Sequence, residues 1–192
     1  MKEINVKDSL LNSAYSLFLG KGYHATTVDE ICKKSGVSKG SFFYYFKSKE
    51  ELGLEVLKWY YAYAANLIMS GSFVNETNPL DRVFGLIDHT ENISKQLWGN
   101  GCLLGSFVTD LTGTNERISA KVSNIFNEMT EGLAKIFIVI SEKNKSVTAR
   151  ELAEQYLLII EGGIILAKAK NDWEKVVRAI QNFRNYLKLL IR

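Results

Sequence analysis

The stretch "VSKGSFFYYFKSKEEL", residues 37–52, places five consecutive aromatic residues among three lysines. On a helix, Phe42 and Phe46 lie one turn apart and share a face, which predicts that both pack inward. Five neighbouring aromatic residues cannot all face one core, so the others face outward. The outward positions include Lys39, Gly40, Phe43 and Tyr44. A lysine, a glycine that permits close backbone approach and a tyrosine hydroxyl suit a DNA groove edge and its phosphates.

The residues before this stretch predict two further helices. The segment "TVDE" at 27–30 has the form of a capping box and begins a short helix. That helix ends in "KSGVS" at 34–38, where Gly36 is expected to adopt a left-handed conformation. Ser38 then caps the next helix. With a supporting helix at about 6–20, the order of elements is that of a helix-turn-helix.

The positive charge of the chain is concentrated at its beginning. Residues 1–50 hold eight lysines and five acidic residues, a net charge of 8 − 5 = +3. Residues 51–192 hold sixteen basic and sixteen acidic residues, so their net charge is zero. A basic first quarter on a neutral remainder favours a polyanion-binding module.

The rest of the chain also reads as helical. It contains a single proline, and alternating strand-like runs are absent. A loop is predicted at 70–79, and helices are predicted at about 48–69, 79–98, 103–111, 115–141, 148–169 and 172–190. The prediction is an all-α chain of about nine helices, with three in a small N-terminal unit.

Several classes of function are not supported by the sequence. Cys32 and Cys102 form no metal or disulfide spacing, and His24 and His89 have no catalytic partner at a motif spacing. We therefore expect no enzyme activity, no metal and no cofactor. The N-terminus lacks the apolar core of a signal peptide, and no apolar run approaches the ~18 residues of a membrane span. A cytoplasmic protein without a membrane partner is expected.

The segment "GKGYHATTVDEICKKSGVSKGSFFYYFKSKEEL" resembles the DNA-binding segment of the TetR family (TetR/AcrR-like) of bacterial transcriptional regulators. The resemblance covers about residues 8–55. It implies phosphate contacts by Thr26, Thr27, Tyr44 and Lys49, and base contacts by Lys39, Gly40 and Ser41. Family members often carry Tyr and His where Phe43 and Tyr45 stand, so Phe43 is expected to contact a thymine methyl group. The complete set of expected DNA contacts is Thr26, Thr27, Ser38, Lys39, Gly40, Ser41, Phe43, Tyr44, Tyr45 and Lys49.

The resemblance further implies a DNA-binding domain at 1–47 and a ligand-binding and dimerisation domain at 48–192. Helices 148–169 and 172–190 would form a four-helix interface between two chains. The alternative is an internal core hairpin. The expected interface residues are Tyr156, Ile160, Gly163, Ala167, Phe183 and Tyr186.

The same resemblance implies a cavity for an effector, and its aromatic lining suits an apolar or planar molecule. The expected positions are Trp59, Tyr60, Tyr63, Phe84, Trp98, Phe107 and Phe126. Aromatic residues at helical spacing are alternatively ordinary core. The segment at 100–118 resembles a subgroup in which some members sense electrophiles or oxidants, with Cys102 at a helix N-terminus that promotes thiolate formation. The alternative for Cys102 is a small buried hydrophobic residue.

Together these features predict a homodimeric repressor that binds double-stranded DNA at a palindromic operator. Effector binding is expected to shift helix 48–69 and release the DNA. Three alternatives stay open: a redox switch at Cys102, a small-molecule carrier with little specific DNA binding, and an activator or architectural DNA-binding protein.

Overall fold

The computed structural model of the protein describes residues 5–111 and 113–192. Within these residues the chain forms nine α-helices and one short 3-10 helix, and no strand. The all-α prediction is confirmed. None of the described helices is both long enough and apolar enough to cross a bilayer.

The helices begin and end within two residues of the predicted positions. The 3-10 helix Ser72–Asn75 lies inside the segment that was predicted to be a loop. The α-helices are α1 (Val6–Lys21), α2 (Val28–Ser35), α3 (Lys39–Tyr45), α4 (Lys49–Met69), α5 (Pro79–Trp98), α6 (Leu103–Leu111), α7 (Glu116–Lys143), α8 (Ala149–Lys170) and α9 (Glu174–Leu190).

Local capping explains why these helices begin where they do. The Thr27 hydroxyl accepts a hydrogen bond from the backbone N–H of Glu30, and the Glu30 carboxylate accepts one from the backbone N–H of Thr27 at 2.9 Å. Thr148 and Glu151 repeat this capping box at the start of α8. The φ angle of Gly36 is 68°, which ends α2 in the predicted left-handed conformation.

The described chain divides into two compact units that are each built from two segments. Unit 1 contains the residues up to Tyr63 together with Cys102–Asn124, and unit 2 contains Ala64–Gly101 and Ile125–Arg192. Residues 102–124 join unit 1 because α6 packs against α1. The division of function at residue 47 stays a prediction.

The core of unit 1 holds aromatic side chains from segments that are distant in sequence. Phe18 is completely buried, and its ring lies 5.2 Å from that of Tyr23 and 5.4 Å from that of Phe107. Ile31 and Phe42 are also fully buried. The helix-turn-helix therefore shares its core with α6.

Unit 2 has an aromatic core and a polar seam between α5 and α9. The Tyr156 ring lies 5.8 Å from Phe137 and 4.9 Å from Phe183. In the seam, both guanidinium contacts of Arg184 reach the Asp88 carboxylate, at 2.6 and 3.1 Å. These contacts fix α9 along α5.

Within the single chain, most of the expected interface residues of α8 and α9 are buried inside unit 2, and their role in a dimer stays a prediction. Gly163 permits the close approach of α8 and α9, because a Cβ there would lie 3.3 Å from the Val176 Cα. Tyr186 is half-buried, while the side chains that pack within a single chain are Tyr156, Ile160, Ala167 and Phe183. This burial is what the alternative of an internal hairpin predicts.

A different face of α8 carries exposed apolar side chains. Leu158 is 72% exposed, Ile165 is 64% exposed and Leu166 is 51% exposed. With Gly162, they follow helical spacing along one side of the helix. We call this set of four residues the α8 stripe.

Candidate nucleic-acid interface

Helix α3 has one buried face and one exposed face, as predicted. Phe42 and Phe46 are 0% and 1% exposed, whereas Tyr44 is 82% exposed. Phe43 and Tyr45 are also exposed. Ser38 begins the helix by accepting a hydrogen bond from the Ser41 backbone N–H at 3.1 Å. The buried pair anchors α3 and leaves its other side available to a partner.

The exposed side of α3 carries an ammonium group that already has a partner. The Lys39 Nζ lies 2.8 Å from Asp29 Oδ1, and both side chains are largely exposed. This hydrogen bond raises the pKa of Lys39, so its charge is retained. An exposed ion pair contributes little to stability, so Lys39 can exchange Asp29 for a nucleic acid at small cost.

The Thr26 side chain, which was predicted to contact a phosphate, is engaged within the protein. It is fully buried, and its hydroxyl donates to the Gly22 carbonyl at 2.7 Å. Its backbone N–H donates to the Tyr23 carbonyl at 3.2 Å. Thr26 therefore shapes the loop before α2, while the neighbouring Thr27 is exposed.

Lys49 holds that same loop. Its Nζ donates to the Tyr23 carbonyl at 3.0 Å and to the Thr26 carbonyl at 2.9 Å, and it lies 4.3 Å from the centre of the Tyr23 ring. Burial lowers the pKa of Lys49. The predicted phosphate contact of Lys49 at the beginning of α4 stays a prediction.

Residues near the α6–α7 junction contact the segments that flank α2 and α3, and sequence reasoning missed these contacts. The Glu50 carboxylate accepts from Asn115 Nδ2 at 2.9 Å and from Arg117. Asp110 Oδ2 accepts from the Tyr23 backbone N–H at 2.7 Å. No local pattern could have revealed these pairs, because their partners lie 65 to 87 positions apart.

The capping box of α2 makes the stability of the folded protein depend on pH. Lys21 Nζ lies 2.5 Å from Glu30 Oε1, and this contact together with hydrogen bonds from Thr27 lowers the pKa of Glu30 from 4.5 to about 2. Because the folded-state pKa is the lower one, the stabilisation is present above pH ~4.5 and is lost as the pH falls towards 2. We expect Glu30→Gln to lower the urea midpoint at pH 6 and to have a much smaller effect near pH 2.

The control for this expectation is Glu142→Gln, at an exposed glutamate of α7. Its effect on the urea midpoint is expected to be small at both pH values. A Glu30→Gln effect that is equally large at pH 6 and near pH 2 would contradict the lowered pKa of Glu30 in the folded protein.

The expected effector residues in unit 1 have different environments. Trp59 and Tyr63 stack with ring centres 6.3 Å apart, and Tyr15 meets the edge of Trp59 at 5.7 Å. Tyr60 and Phe107 are 2% and 1% exposed. Phe107 packs against Phe18 and Tyr23, as the alternative of ordinary core predicts, and its role at an effector site stays a prediction.

Cys102 precedes α6, at the predicted position, but it is only 6% exposed. A buried thiol is poorly accessible to an electrophile or oxidant. The redox-sensor alternative is therefore not favoured. Within residues 5–111 and 113–192, no group of three or more His, Cys, Asp or Glu side chains is arranged to hold a metal ion.

In unit 2, one of the expected effector residues lines a groove. Phe84 packs below the Arg184 guanidinium at 5.2 Å, and Trp98 is 6% exposed. Phe126 is half-buried at a groove of about 390 Å³ between α7 and α8. The other lining residues are Thr130, Glu154, Leu157, Leu158 and Glu161.

A helix-turn-helix whose second helix has one exposed face is typical of a class of DNA-binding proteins. Comparison with known proteins identifies the family. Residues 10–56 match the family described as bacterial regulatory proteins, tetR family. Residues 79–182 match the C-terminal domain of LmrA/YxaF-like transcriptional regulators. The chain belongs to the TetR family.

Individual relatives are similar over almost the whole chain. The HTH-type transcriptional repressor DhaR of Mycobacterium sp. (strain GP1) is 27% identical over 177 residues, 91% of this chain and 88% of that protein. IcaR of Staphylococcus aureus, the negative transcriptional regulator of the biofilm operon icaADBC, is 24% identical and covers 94% of both chains. A TetR regulator from Legionella pneumophila superposes with a TM-score of 0.79 at 24% identity over the full length of both chains. The protein is thus a DNA-binding transcriptional regulator by family.

Proposed function

We propose that this protein is a cytoplasmic, homodimeric repressor that places α3 in the DNA major groove and leaves its operator when a small molecule binds. The observation that carries this proposal is the exposed side of α3, where Tyr44 is 82% exposed beside Lys39. An exposed aromatic run on a helix anchored by two buried phenylalanines has no role in the core of unit 1. It fits a helix that reads DNA.

Four of the exposed residues of α3 have distinct proposed roles. Lys39, released from Asp29, donates a hydrogen bond to a base edge, for which guanine offers the best acceptors. Gly40 allows the backbone to approach the groove. The Phe43 ring, 49% exposed, has no hydroxyl and suits a thymine methyl group. The Tyr44 phenol donates to a phosphate. In this proposal Lys39 and Phe43 recognise the base sequence, and Tyr44 positions the helix on the DNA backbone.

The proposed dimer uses the α8 stripe instead of the residues expected from the sequence. Three apolar side chains that are more than half exposed on one helix are costly in water and are covered in an interface. A two-fold dimer repeats one DNA-binding unit about the symmetry axis. The operator is therefore proposed to be a near-palindrome whose half-sites lie about one DNA turn apart.

The effector is proposed to be an apolar or planar small molecule. Support comes from the half-buried Phe126 and from Leu157 beside it in the α7–α8 groove. Binding is proposed to act through α4, which contributes residues to both units. The same groove is the observation that favours a small-molecule carrier, the second candidate function.

Selection of binding sites from a random duplex library tests this proposal. The wild-type protein is expected to enrich a near-palindromic duplex, whereas Lys39→Ala is expected to lose about tenfold of its preference for that duplex over a scrambled one. Lys145→Ala, at an exposed lysine of unit 2, controls for the loss of one positive charge. Binding without enrichment would indicate an architectural protein, and negligible binding at low salt would indicate a carrier.

A further inference from the structure

We propose that the α6–α7 corner, defined here as Asp110, Asn115 and Arg117, is a positioning element for DNA recognition. The inference rests on the proposed function, since its readout is operator binding. These residues lie outside the helix-turn-helix in sequence but inside unit 1. They hold the two segments that flank α2 and α3, and are not proposed to contact DNA.

The first contact of the corner fixes the loop before α2. Asp110 Oδ2 accepts from the Tyr23 backbone N–H at 2.7 Å, in a partly buried position. Gly22 makes this approach possible, because a Cβ at that position would lie 2.4 Å from Asp110 Oδ2. The φ angle of Gly22 is 88°, which L side chains rarely adopt. Sequence and backbone geometry at Gly22 are thus both adapted to the Asp110 carboxylate.

The second contact fixes the first turn of α4. Asn115 Nδ2 donates to Glu50 Oε2 at 2.9 Å, and Arg117 donates to Glu50 Oε1. Asn115 is itself held, because its Oδ1 accepts from the Ile118 backbone N–H at 2.9 Å at the start of α7. Both oxygens of Glu50 are therefore oriented by the beginning of α7.

The two contacts meet at Tyr23 and Lys49. The Tyr23 N–H is held by Asp110 of α6, and its carbonyl is held by Lys49 of α4. Burial and the nearby Glu50 carboxylate raise the pKa of Tyr23 to about 12. A change in the corner would therefore move the loop before α2 and the beginning of α4 together. The residues on either side of 102–124 in sequence both belong to unit 2, which provides a covalent connection to the regulatory part of the chain.

The charge of Glu50 allows a test, because the positioning role and simple electrostatics predict opposite changes in DNA affinity when it is removed. Glu50 is an acid in the same first turn as Lys49, where simple electrostatics predicts that its removal strengthens binding to a polyanion. A positioning role predicts the opposite result. Glu50→Ala is expected to weaken binding to the selected duplex about tenfold, because a charge-assisted contact that orders the interface is lost.

Arg117→Ala provides a second variant, since this side chain is 75% exposed and is not required for the core. Its affinity is expected to fall about fivefold, while the slope of log K against log salt concentration stays unchanged because no phosphate contact is lost. Arg117→Lys is expected to recover most of the affinity. Arg150→Ala is the matched control, because Arg150 is likewise an exposed arginine that pairs with glutamate, here with Glu131 and Glu154, but it lies in unit 2.

Fluorescence anisotropy with the selected duplex at four salt concentrations measures these effects, and thermal unfolding of each variant accompanies it. Unchanged or tighter binding by Glu50→Ala and Arg117→Ala would overturn the inference. A slope that falls by about 0.9 in Arg117→Ala would assign a direct phosphate contact instead and also overturn it. If the wild-type protein shows no preference for one duplex, the proposed function fails. If the wild-type protein binds its duplex specifically but Glu50→Ala and Arg117→Ala bind it as tightly as the wild type, only the inference fails.

Discussion

Phe42→Ala is expected to lower the free energy of unfolding by about 3–5 kcal/mol, the usual cost of removing a buried phenylalanine ring. Phe42 is fully buried, and its ring lies 5.9 Å from that of Phe46. Because α3 has only seven residues, it is too short to be stable without this packing. Operator binding is therefore expected to be lost along with the fold of α3.

The adjacent residue provides the control. Phe43 is 49% exposed, so Phe43→Ala is expected to change the free energy of unfolding by less than about 1 kcal/mol. Its operator affinity should still fall, because the proposed thymine contact is removed. Urea unfolding of both variants, followed by circular dichroism, makes the comparison. Equal loss of stability in both variants would show that α3 does not have the two faces described above.

Ile165→Glu is expected to convert the protein into a monomer and to reduce operator affinity by at least about 100-fold. The side chain is 64% exposed in the α8 stripe, and a carboxylate there would be buried without a partner in the proposed dimer. Two linked DNA-binding units gain affinity because the second binds at a high effective concentration, and a monomer loses that gain.

The matched control is Ile138→Glu, because Ile138 is 50% exposed but lies on α7. Sedimentation velocity at micromolar concentration gives the mass of each variant, and anisotropy gives its operator affinity. We expect Ile138→Glu to remain dimeric and to bind as the wild-type protein does. A dimeric Ile165→Glu variant, or a monomeric Ile138→Glu variant, would place the interface elsewhere.

The sequence was sufficient to predict the nine α-helices of the described residues because the signals for helix ends are local. Thr27 with Glu30, and Asn78 followed by Pro79, specify their helix starts through hydrogen bonds within a few residues. The two faces of α3 were predictable for the same reason, since residues four positions apart share a face whatever the rest of the chain does. The exposed part of the candidate site was therefore accessible from the sequence.

The sequence could not reveal tertiary contacts, because helical periodicity does not determine them. Helix α8 is apolar on more than one side, so its sequence could not indicate that Tyr156 and Ile160 pack inside the chain while Leu158 and Ile165 remain exposed. The burial of Thr26 was likewise invisible, because it depends on how the loop before α2 folds back on itself.

The contacts of the α6–α7 corner were hidden for a further reason. Asp110 and Tyr23 are 87 positions apart, and each is unremarkable in its own sequence context. Cys102 shows the same limit: its position before α6 was predicted, but its burial depends on packing within unit 1. Function that depends on distant partners has to be sought in the structure.

The two-segment construction of unit 1 has a consequence for the order of events during protein synthesis. The helix-turn-helix leaves the ribosome first, yet Phe107, which packs on Phe18 and Tyr23, is translated much later. At roughly 5–20 residues per second, the ribosome needs about 3–12 s to advance from residue 63 to residue 124. During that interval the nascent chain exposes part of its future core. The DNA-binding half thus becomes complete only when more than half of the polypeptide has been made.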